Sequence, residues 1–218
     1  MPLTDLRDKK LFLFDFDGTL VDTSYGIMSS INYLRQHYGL PALDFPQARR
    51  YIGTGRSDLI DGVLLEKPDI DRVKATAIFQ EHHNIHLYEQ LRFYPGMTDF
   101  LHKLRSAQKL LGIVSNKQQR LIAEILRNIK APVDFDIIIG LDTLPEHKPD
   151  PRPLLYACET LQTPKDSAVM FGDSIYDVLS GKKAGIFTIG CAWGFNGTEP
   201  FQETPPDLII QNINEIRI

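Results

Sequence analysis

Short apolar runs alternate with stretches of helical periodicity along most of this chain. The apolar runs are residues 10–15, 110–114, 135–139, 168–171 and 186–189, and residues 207–210 add a weaker one. Continuous short runs of this kind are typical of strands that are buried on both faces. Helical patterns separate them, at about residues 96–106, 118–128, 153–161 and 176–184. The alternation predicts an α/β fold with a Rossmann-like open parallel sheet, covered by helices on both faces.

The segment after the first apolar run is helical in pattern. Apolar side chains recur at spacings of four, three and four residues from Ile27 to Tyr38, which is one face of a helix. Residues 45–90 also lack strand-like runs. We therefore predict an inserted α-helical domain at residues 21–90, called the helical insert below, and an α/β core domain formed by residues 1–20 and 91–218.

Composition excludes some classes of function. The net charge of −4 provides no basic surface for nucleic acid. No uncharged apolar run reaches the roughly 18 residues of a membrane span. The N-terminal residues lack the pattern of a signal peptide, and Cys158 and Cys191 form no CxxC pair. We expect a cytoplasmic protein that binds neither nucleic acid nor membranes; whether it is a monomer or a homodimer stays open.

Two acids follow the first predicted strand. Asp15 and Asp17 stand two residues apart, so on an extended backbone they point to the same side. Ligands of parallel sheets bind beyond the carboxyl ends of the strands. Two carboxylates there repel each other, and a hard divalent cation would offset that repulsion. Gly18 permits a tight turn next to them. By itself, this pattern also fits an ordinary acidic loop.

Three further segments end in polar residues. Ser115 and Asn116 follow the second predicted strand, Asp173 and Asp177 follow the fourth, and Lys148 lies between prolines in the loop after the third. Separately, each has an ordinary explanation, such as a helix N-cap or a surface lysine. Together they place acids, a hydroxyl and an ammonium at one sheet edge, which matches the needs of phosphoryl transfer.

The set of motifs resembles the haloacid dehalogenase-like superfamily. The matching residues are DFDGT at 15–19, SN at 115–116, Lys148 and GDSIYD at 172–177, and their order and spacing agree over essentially the whole chain. The similarity is to the phosphatases with a helical cap, the phosphoglycolate phosphatase-like group. It implies a Mg²⁺-dependent phosphatase that works through an aspartyl-phosphate, with the helical insert as a lid over the site.

The resemblance also implies roles for individual residues. Asp15 would be the nucleophile, and Asp17 would protonate the leaving group and then activate water. The remaining roles are phosphate binding by Gly18, Thr19, Ser115, Asn116 and Lys148, metal binding by Asp15, Asp17 and Asp173, and support of these groups by Ser174 and Asp177.

Several alternatives stay open at this point. Asp17 separates the phosphatases from the dehalogenases, which need no acid there, and Thr19 resembles the phosphatases more than the sugar-phosphate mutases. A sugar phosphomutase nevertheless remains a rival, and a non-catalytic regulatory protein is a second one. The substrate would be a small phosphorylated metabolite, such as a phosphoglycolate-like acid, a sugar phosphate or pyrophosphate.

Two features of the helical insert allow either a functional or an ordinary explanation. Arg56 lies in the glycine-flanked sequence at 52–57 and could bind an anionic substrate, or it could be a solvated arginine in a turn. His82, His83 and His86 could bind a metal, although a polar helix face is the more common explanation for such a pattern.

Overall fold

A computed structural model describes residues 4–53 and 56–218, with the side chains of residues 56 and 57 outside that description. The strands are β1 (Thr4–Asp5), β2 (Leu11–Phe14), β3 (Val21–Asp22), β4 (Arg92–Phe93), β5 (Leu110–Val114), β6 (Ile137–Ile139), β7 (Ala168–Gly172), β8 (Phe187–Cys191), β9 (Leu208–Ile210) and β10 (Ile216–Arg217). The α-helices are α1 (Ser24–His37), α2 (Phe45–Ala48), α3 (Arg56–Val63), α4 (Arg72–His86), α5 (Met97–Ser106), α6 (Gln119–Asn128), α7 (Arg152–Thr160) and α8 (Ile175–Ala184). Short 3₁₀ turns lie at Arg49–Tyr51, Lys165–Ser167, Glu199–Phe201 and Ile213–Glu215.

Within the described residues, six parallel strands form the central sheet in the order β6-β5-β2-β7-β8-β9. Strand β2 lies in the middle and pairs with β5 on one side and β7 on the other. The predicted α/β fold with a parallel sheet is confirmed. This order brings the carboxyl ends of β2, β5 and β7 next to one another.

The side chains of β2 show why this strand is central. Phe12 and Phe14 belong to the apolar cluster on one face, which also includes residues of α5 and α6. Leu11 and Leu13 belong to the cluster on the other face, with residues of α7 and α8. All four side chains are fully buried. Burial of each stabilises the fold by roughly 2 kcal/mol, so the strand that carries Asp15 is firmly held.

Helices α1 to α4 lie between β3 and β4 in the chain and have an apolar cluster of their own. Helix α1 packs against α4, and β3 pairs with β4 in an antiparallel two-stranded ribbon where the chain leaves and re-enters the core. The buried Arg35 donates hydrogen bonds to the carbonyl oxygens of Pro41 and Val63 and pairs with Glu66. The segment is helical, as predicted; the domain boundaries themselves stay a prediction.

The short ribbons β1–β10 and β3–β4 were not predicted, because two-residue strands carry no readable periodicity. The predicted strand at 135–139 begins only at Ile137. Just before it, the Asp136 carboxylate accepts a hydrogen bond from the Leu111 amide. Among the described residues, no helix combines the length and apolar character needed to cross a bilayer.

Candidate active site

The candidate site lies where β2, β5 and β7 end. Asp15 follows β2, Ser115 follows β5, and Asp173 follows β7, and all three residues are buried. In the ladder, Phe14 is paired with Ile113 and with Phe171, so the three strands end at a similar level. The structure thus brings together the polar residues that were predicted to follow these strands.

Three carboxylates form the centre of the site. Ligand oxygens of Asp15, Asp173 and Asp177 all lie within 4.8 Å of one another. Lys148, whose side chain is 2% exposed, lies between two of them, with Nζ 3.0 Å from Asp15 Oδ1 and 2.5 Å from Asp177 Oδ1. Three acids against one ammonium leave an excess of negative charge in a buried space, if all are ionised.

The pKa values of the buried groups reflect their burial and the charges next to them. Burial, together with the charges of Asp15 and Asp177, raises the pKa of Asp173 well above its usual range. Burial also raises the pKa of Asp177, against the opposing effect of the Lys148 ammonium. Burial alone would lower the pKa of Lys148, but the charges of Asp15 and Asp177 outweigh it and raise that pKa. A further positive charge would stabilise the ionised cluster.

A divalent cation fits these residues. Asp15 Oδ1 is buried and, within the described residues, has the Lys148 ammonium as an ion-pair partner at 3.0 Å but no other polar partner. The donors are hard oxygens, the type that Mg²⁺ and Ca²⁺ prefer. Gly18 has φ of 83°, and a Cβ there would overlap the Asp173 carboxylate. The backbone therefore approaches the acid cluster as closely as glycine allows.

The side chain of Asp17 lies apart from this cluster. Its Oδ1 accepts a hydrogen bond from Thr23 Oγ1 at 2.7 Å, and Lys117 Nζ lies 3.1 Å from both of its oxygens. Sequence reasoning assigned no role to Lys117 or to Thr23. Lys117 directly follows the predicted SN motif, so its position at a strand end was the available signal. Thr23 is the N-cap residue of α1, but its side chain bonds Asp17 instead of the helix.

The other predicted residues make different contacts at this edge of the sheet. Thr19 donates its hydroxyl hydrogen to Asp173 Oδ1 at 2.9 Å, so this group is directed at a carboxylate. Asn116 donates its side-chain amide to the Lys148 carbonyl at 3.0 Å. Ser174 caps α8 in a capping box with Asp177 and donates to Asp177 Oδ2 at 2.6 Å. Ser115 accepts a long hydrogen bond of 3.4 Å from the Lys117 amide. Roles in binding phosphate stay predictions.

A cavity of about 90 Å³ lies between this edge of the sheet and the helical insert. Its core side includes Asp15, Asp17, Ser115, Lys117 and Lys148. Its other side is mostly apolar and is formed by Ile27, Ile52, Leu59, Phe79 and the buried His83 of the helical insert. A group held at Asp15 would therefore be covered by the helical insert.

The structure describes only some of the side chains for which a role in the helical insert was predicted. Arg56 begins α3, but its side chain lies outside the described part of the structure. The ring of His82 stacks on Tyr33 and on His86, at centroid distances of 4.2 and 4.1 Å. Burial, and then the charge of His86, lower the pKa of His82. Within residues 4–53 and 56–218, the three histidines do not bring three ligand atoms together.

The sequence matches the haloacid dehalogenase-like hydrolase family over residues 12–191, and the chain belongs to this family of enzymes. A phosphoglycolate phosphatase from Chromobacterium violaceum is 30% identical over 97% of this chain and 96% of its own length. Another, from Psychrobacter arcticus, is 32% identical over 91% and 90%. The crystal structure of a haloacid dehalogenase-like hydrolase from Bacteroides fragilis has a TM-score of 0.87 at 28% identity, covering 95% of this chain and 99% of that one. The predicted resemblance is confirmed.

Proposed function

We propose that this chain is a Mg²⁺-dependent phosphatase that hydrolyses a small phosphorylated metabolite through an aspartyl-phosphate on Asp15. The observation that carries the proposal is the buried acid cluster, in which Asp15 Oδ1 lies beside the Lys148 ammonium and Asp15 lines a cavity next to the helical insert. A nucleophile, a cation and a site for a divalent metal are the parts that phosphoryl transfer needs. The relatives named phosphoglycolate phosphatase support the same class of reaction.

The first chemical step would form the covalent intermediate. A carboxylate oxygen of Asp15 attacks phosphorus, and the bond between phosphorus and the ester oxygen breaks. Asp17 gives its proton to the departing oxygen, which leaves as an alcohol. Lys148 stabilises the negative charge that spreads over the phosphoryl oxygens.

The second step would regenerate the enzyme. Asp17, now ionised, takes a proton from a water molecule, the water oxygen bonds to phosphorus, and Asp15 is released as a carboxylate together with inorganic phosphate. Asp15, Asp173 and the Asp17 main-chain carbonyl would hold Mg²⁺, which when bound neutralises charge on the phosphoryl oxygens. Asp177 lies within reach of the same position but is bonded to Lys148 and Ser174, so we assign it to holding Lys148 in place.

The polar side of the cavity favours a leaving group that carries negative charge. Lys117 Nζ lies beside Asp17, where the departing oxygen would be protonated. A carboxylate two atoms from that oxygen, as in a phosphoglycolate-like acid, would find a cation there. The small cavity and its apolar side limit the size of the leaving group. Sugar phosphates and pyrophosphate are the other substrates to test.

Release of inorganic phosphate tests this proposal. The purified protein is incubated with 2-phosphoglycolate, a hexose 6-phosphate, a hexose 1-phosphate, pyrophosphate and an aryl phosphate, each with Mg²⁺ or with a chelator. We expect Mg²⁺-dependent release from at least one ester and none from Asp15→Asn. Conversion of hexose 1-phosphate to its isomer without phosphate release would instead indicate a mutase. Its cytoplasmic location stays a prediction.

A further inference from the structure

The loop at residues 193–199, called the β8 loop here because it follows β8, contacts Asp173. The Phe195 amide donates a hydrogen bond of 3.0 Å to Asp173 Oδ2. Gly194 lies so close to Asp173 that a Cβ there would overlap it. Trp193 Nε1 donates to the Thr19 carbonyl at 3.1 Å, and the Thr19 hydroxyl donates to Asp173 Oδ1. The loop thus supplies the hydrogen-bond donor to Asp173 Oδ2, and through Trp193 it holds Thr19, which is the donor to Asp173 Oδ1.

The same loop also binds the helical insert. The Phe195 side chain is 7% exposed and belongs to the apolar cluster of the insert, although its backbone belongs to the core. Its ring meets the Phe45 ring edge to face, with centroids 5.8 Å apart. Beside it, Glu199 forms a salt bridge of 2.7 Å with Arg49, and Asn196 donates a long hydrogen bond of 3.5 Å to the Arg49 carbonyl.

Phe195 therefore contacts both the acid cluster and the helical insert. Its backbone N–H fixes an oxygen of Asp173, while its ring is anchored by side chains of the helical insert. Groups that donate hydrogen bonds to a metal ligand set the orientation of that ligand. Changing such groups typically lowers metal affinity ten- to a hundredfold. The other contacts of the loop, from Trp193, Asn196 and Glu199, lie on either side of this residue, so loss of the ring contact should loosen the N–H relative to Asp173.

We propose that Phe195 is a positioning residue that couples docking of the helical insert on the core to the placement of Asp173 for binding Mg²⁺. The proposal rests on the proposed function in one respect, that Asp173 is a metal ligand. It makes metal binding and closure of the insert mutually supportive, because coupling between two events acts equally in both directions. Metal would then bind most tightly when the cavity is covered.

The chain offers a direct probe of this coupling. Trp193 is the single tryptophan, and its indole donates to the carbonyl of Thr19, whose hydroxyl bonds Asp173. Its fluorescence can be followed while Mg²⁺ is added to the protein alone, without substrate, and calorimetry with Mg²⁺ gives the same half-saturation by a second method. Phe195→Leu weakens the anchor but keeps the backbone N–H. Phe45→Ala removes the partner ring in the insert, on the opposite side of the contact from Asp173.

We expect the Mg²⁺ concentration at half-saturation to rise roughly five- to twentyfold in both variants. In the double variant, the increase should be little more than in either single one, because both changes break the same contact. The matched control is Arg35→Met, since Arg35 bonds Pro41, Val63 and Glu66, which all lie within the insert. It should change the half-saturation less than twofold while lowering the thermal midpoint.

Other results would overturn the proposal. Wild-type Mg²⁺ affinity in Phe45→Ala would show that the insert does not influence Asp173 through this contact. An equal loss in Arg35→Met would show a general effect of insert stability. Absence of Mg²⁺ binding to the wild type by both methods would remove Asp173 as a ligand. If the protein binds Mg²⁺ with the expected coupling but releases no phosphate from any ester, the proposed function fails while this inference stands.

Discussion

Replacing Lys148 with methionine should destabilise the protein strongly, because this side chain lies between two buried acids. Its Nζ is 3.0 Å from Asp15 and 2.5 Å from Asp177, and it is almost completely buried. Methionine occupies similar space but has no charge. Replacing a whole buried ion pair by apolar residues is often neutral, whereas removing one partner typically costs about 3–5 kcal/mol.

The expected size can be stated for urea unfolding in the presence of a chelator. With a loss of about 3 kcal/mol and a urea dependence of about 3 kcal/mol per molar, the midpoint should fall by about 1 M. Turnover, if the proposed function holds, should fall by at least about a hundredfold, since Lys148 would also stabilise the transferred phosphoryl group.

Two further variants separate charge from packing. Lys182→Met, at an exposed position on α8, should change the unfolding free energy by less than about 0.5 kcal/mol. Adding Asp177→Asn to Lys148→Met removes one of the uncompensated acids, so part of the lost stability should return. A Lys148→Met midpoint within about 0.2 M urea of the wild type would refute the reasoning that this ammonium compensates the acid cluster.

Three other predictions concern single groups. Gly18→Ala should abolish Mg²⁺ binding in calorimetry, because its Cβ would overlap the Asp173 carboxylate and φ is positive; retained affinity would contradict this close approach. Burial, and then the charge of Glu159, raise the pKa of Cys158 to about 11. The thiol therefore stays protonated at pH 8, and alkylation of the folded protein should rise about tenfold per pH unit until near pH 11, which peptide mapping can follow; fast labelling at pH 8 would argue against burial. Lys117→Met should raise the KM for 2-phosphoglycolate about tenfold more than the KM for an aryl phosphate; equal changes would exclude a role in binding a leaving-group charge.

The sheet and the acid cluster could largely be predicted because they depend on local patterns. Strands buried on both faces are apolar throughout, so their ends are visible where Asp15, Ser115 and Asp173 begin. Parallel pairing then brings those ends to one edge of the sheet. The helices α5 to α8 also begin and end within one residue of the predicted positions, because apolar spacing is a local signal, supported by Gly96 before α5 and Gly185 after α8.

Contacts between distant segments could not be predicted in this way. Nothing local to Asp17 shows that its carboxylate turns towards Lys117 and Thr23 and away from Asp173. The Thr19 hydroxyl donates to Asp173, a contact that its sequence neighbours do not indicate, and its role in binding phosphate stays a prediction. Phe195 belongs to the core by sequence and to the insert by packing, which follows only from how the two pack together. The glycines and aromatic residues at 193–197, which follow a predicted strand, are the sequence feature that could have drawn attention to this loop.

The central claim is that Asp15 becomes phosphorylated during turnover, and mass spectrometry of the quenched enzyme tests it most directly. The Asp17→Asn variant with an aryl phosphate is suited to this. The aryl leaving group depends little on protonation by Asp17, whereas hydrolysis of the intermediate still lacks its base, so the intermediate should accumulate. After reaction with the aryl phosphate and acid quenching, the peptide that contains Asp15 should carry one phosphoryl group, and Asp15→Asn should carry none. Phosphate release by Asp15→Asn at a near-normal rate, or a phosphoryl group on another residue, would contradict the account.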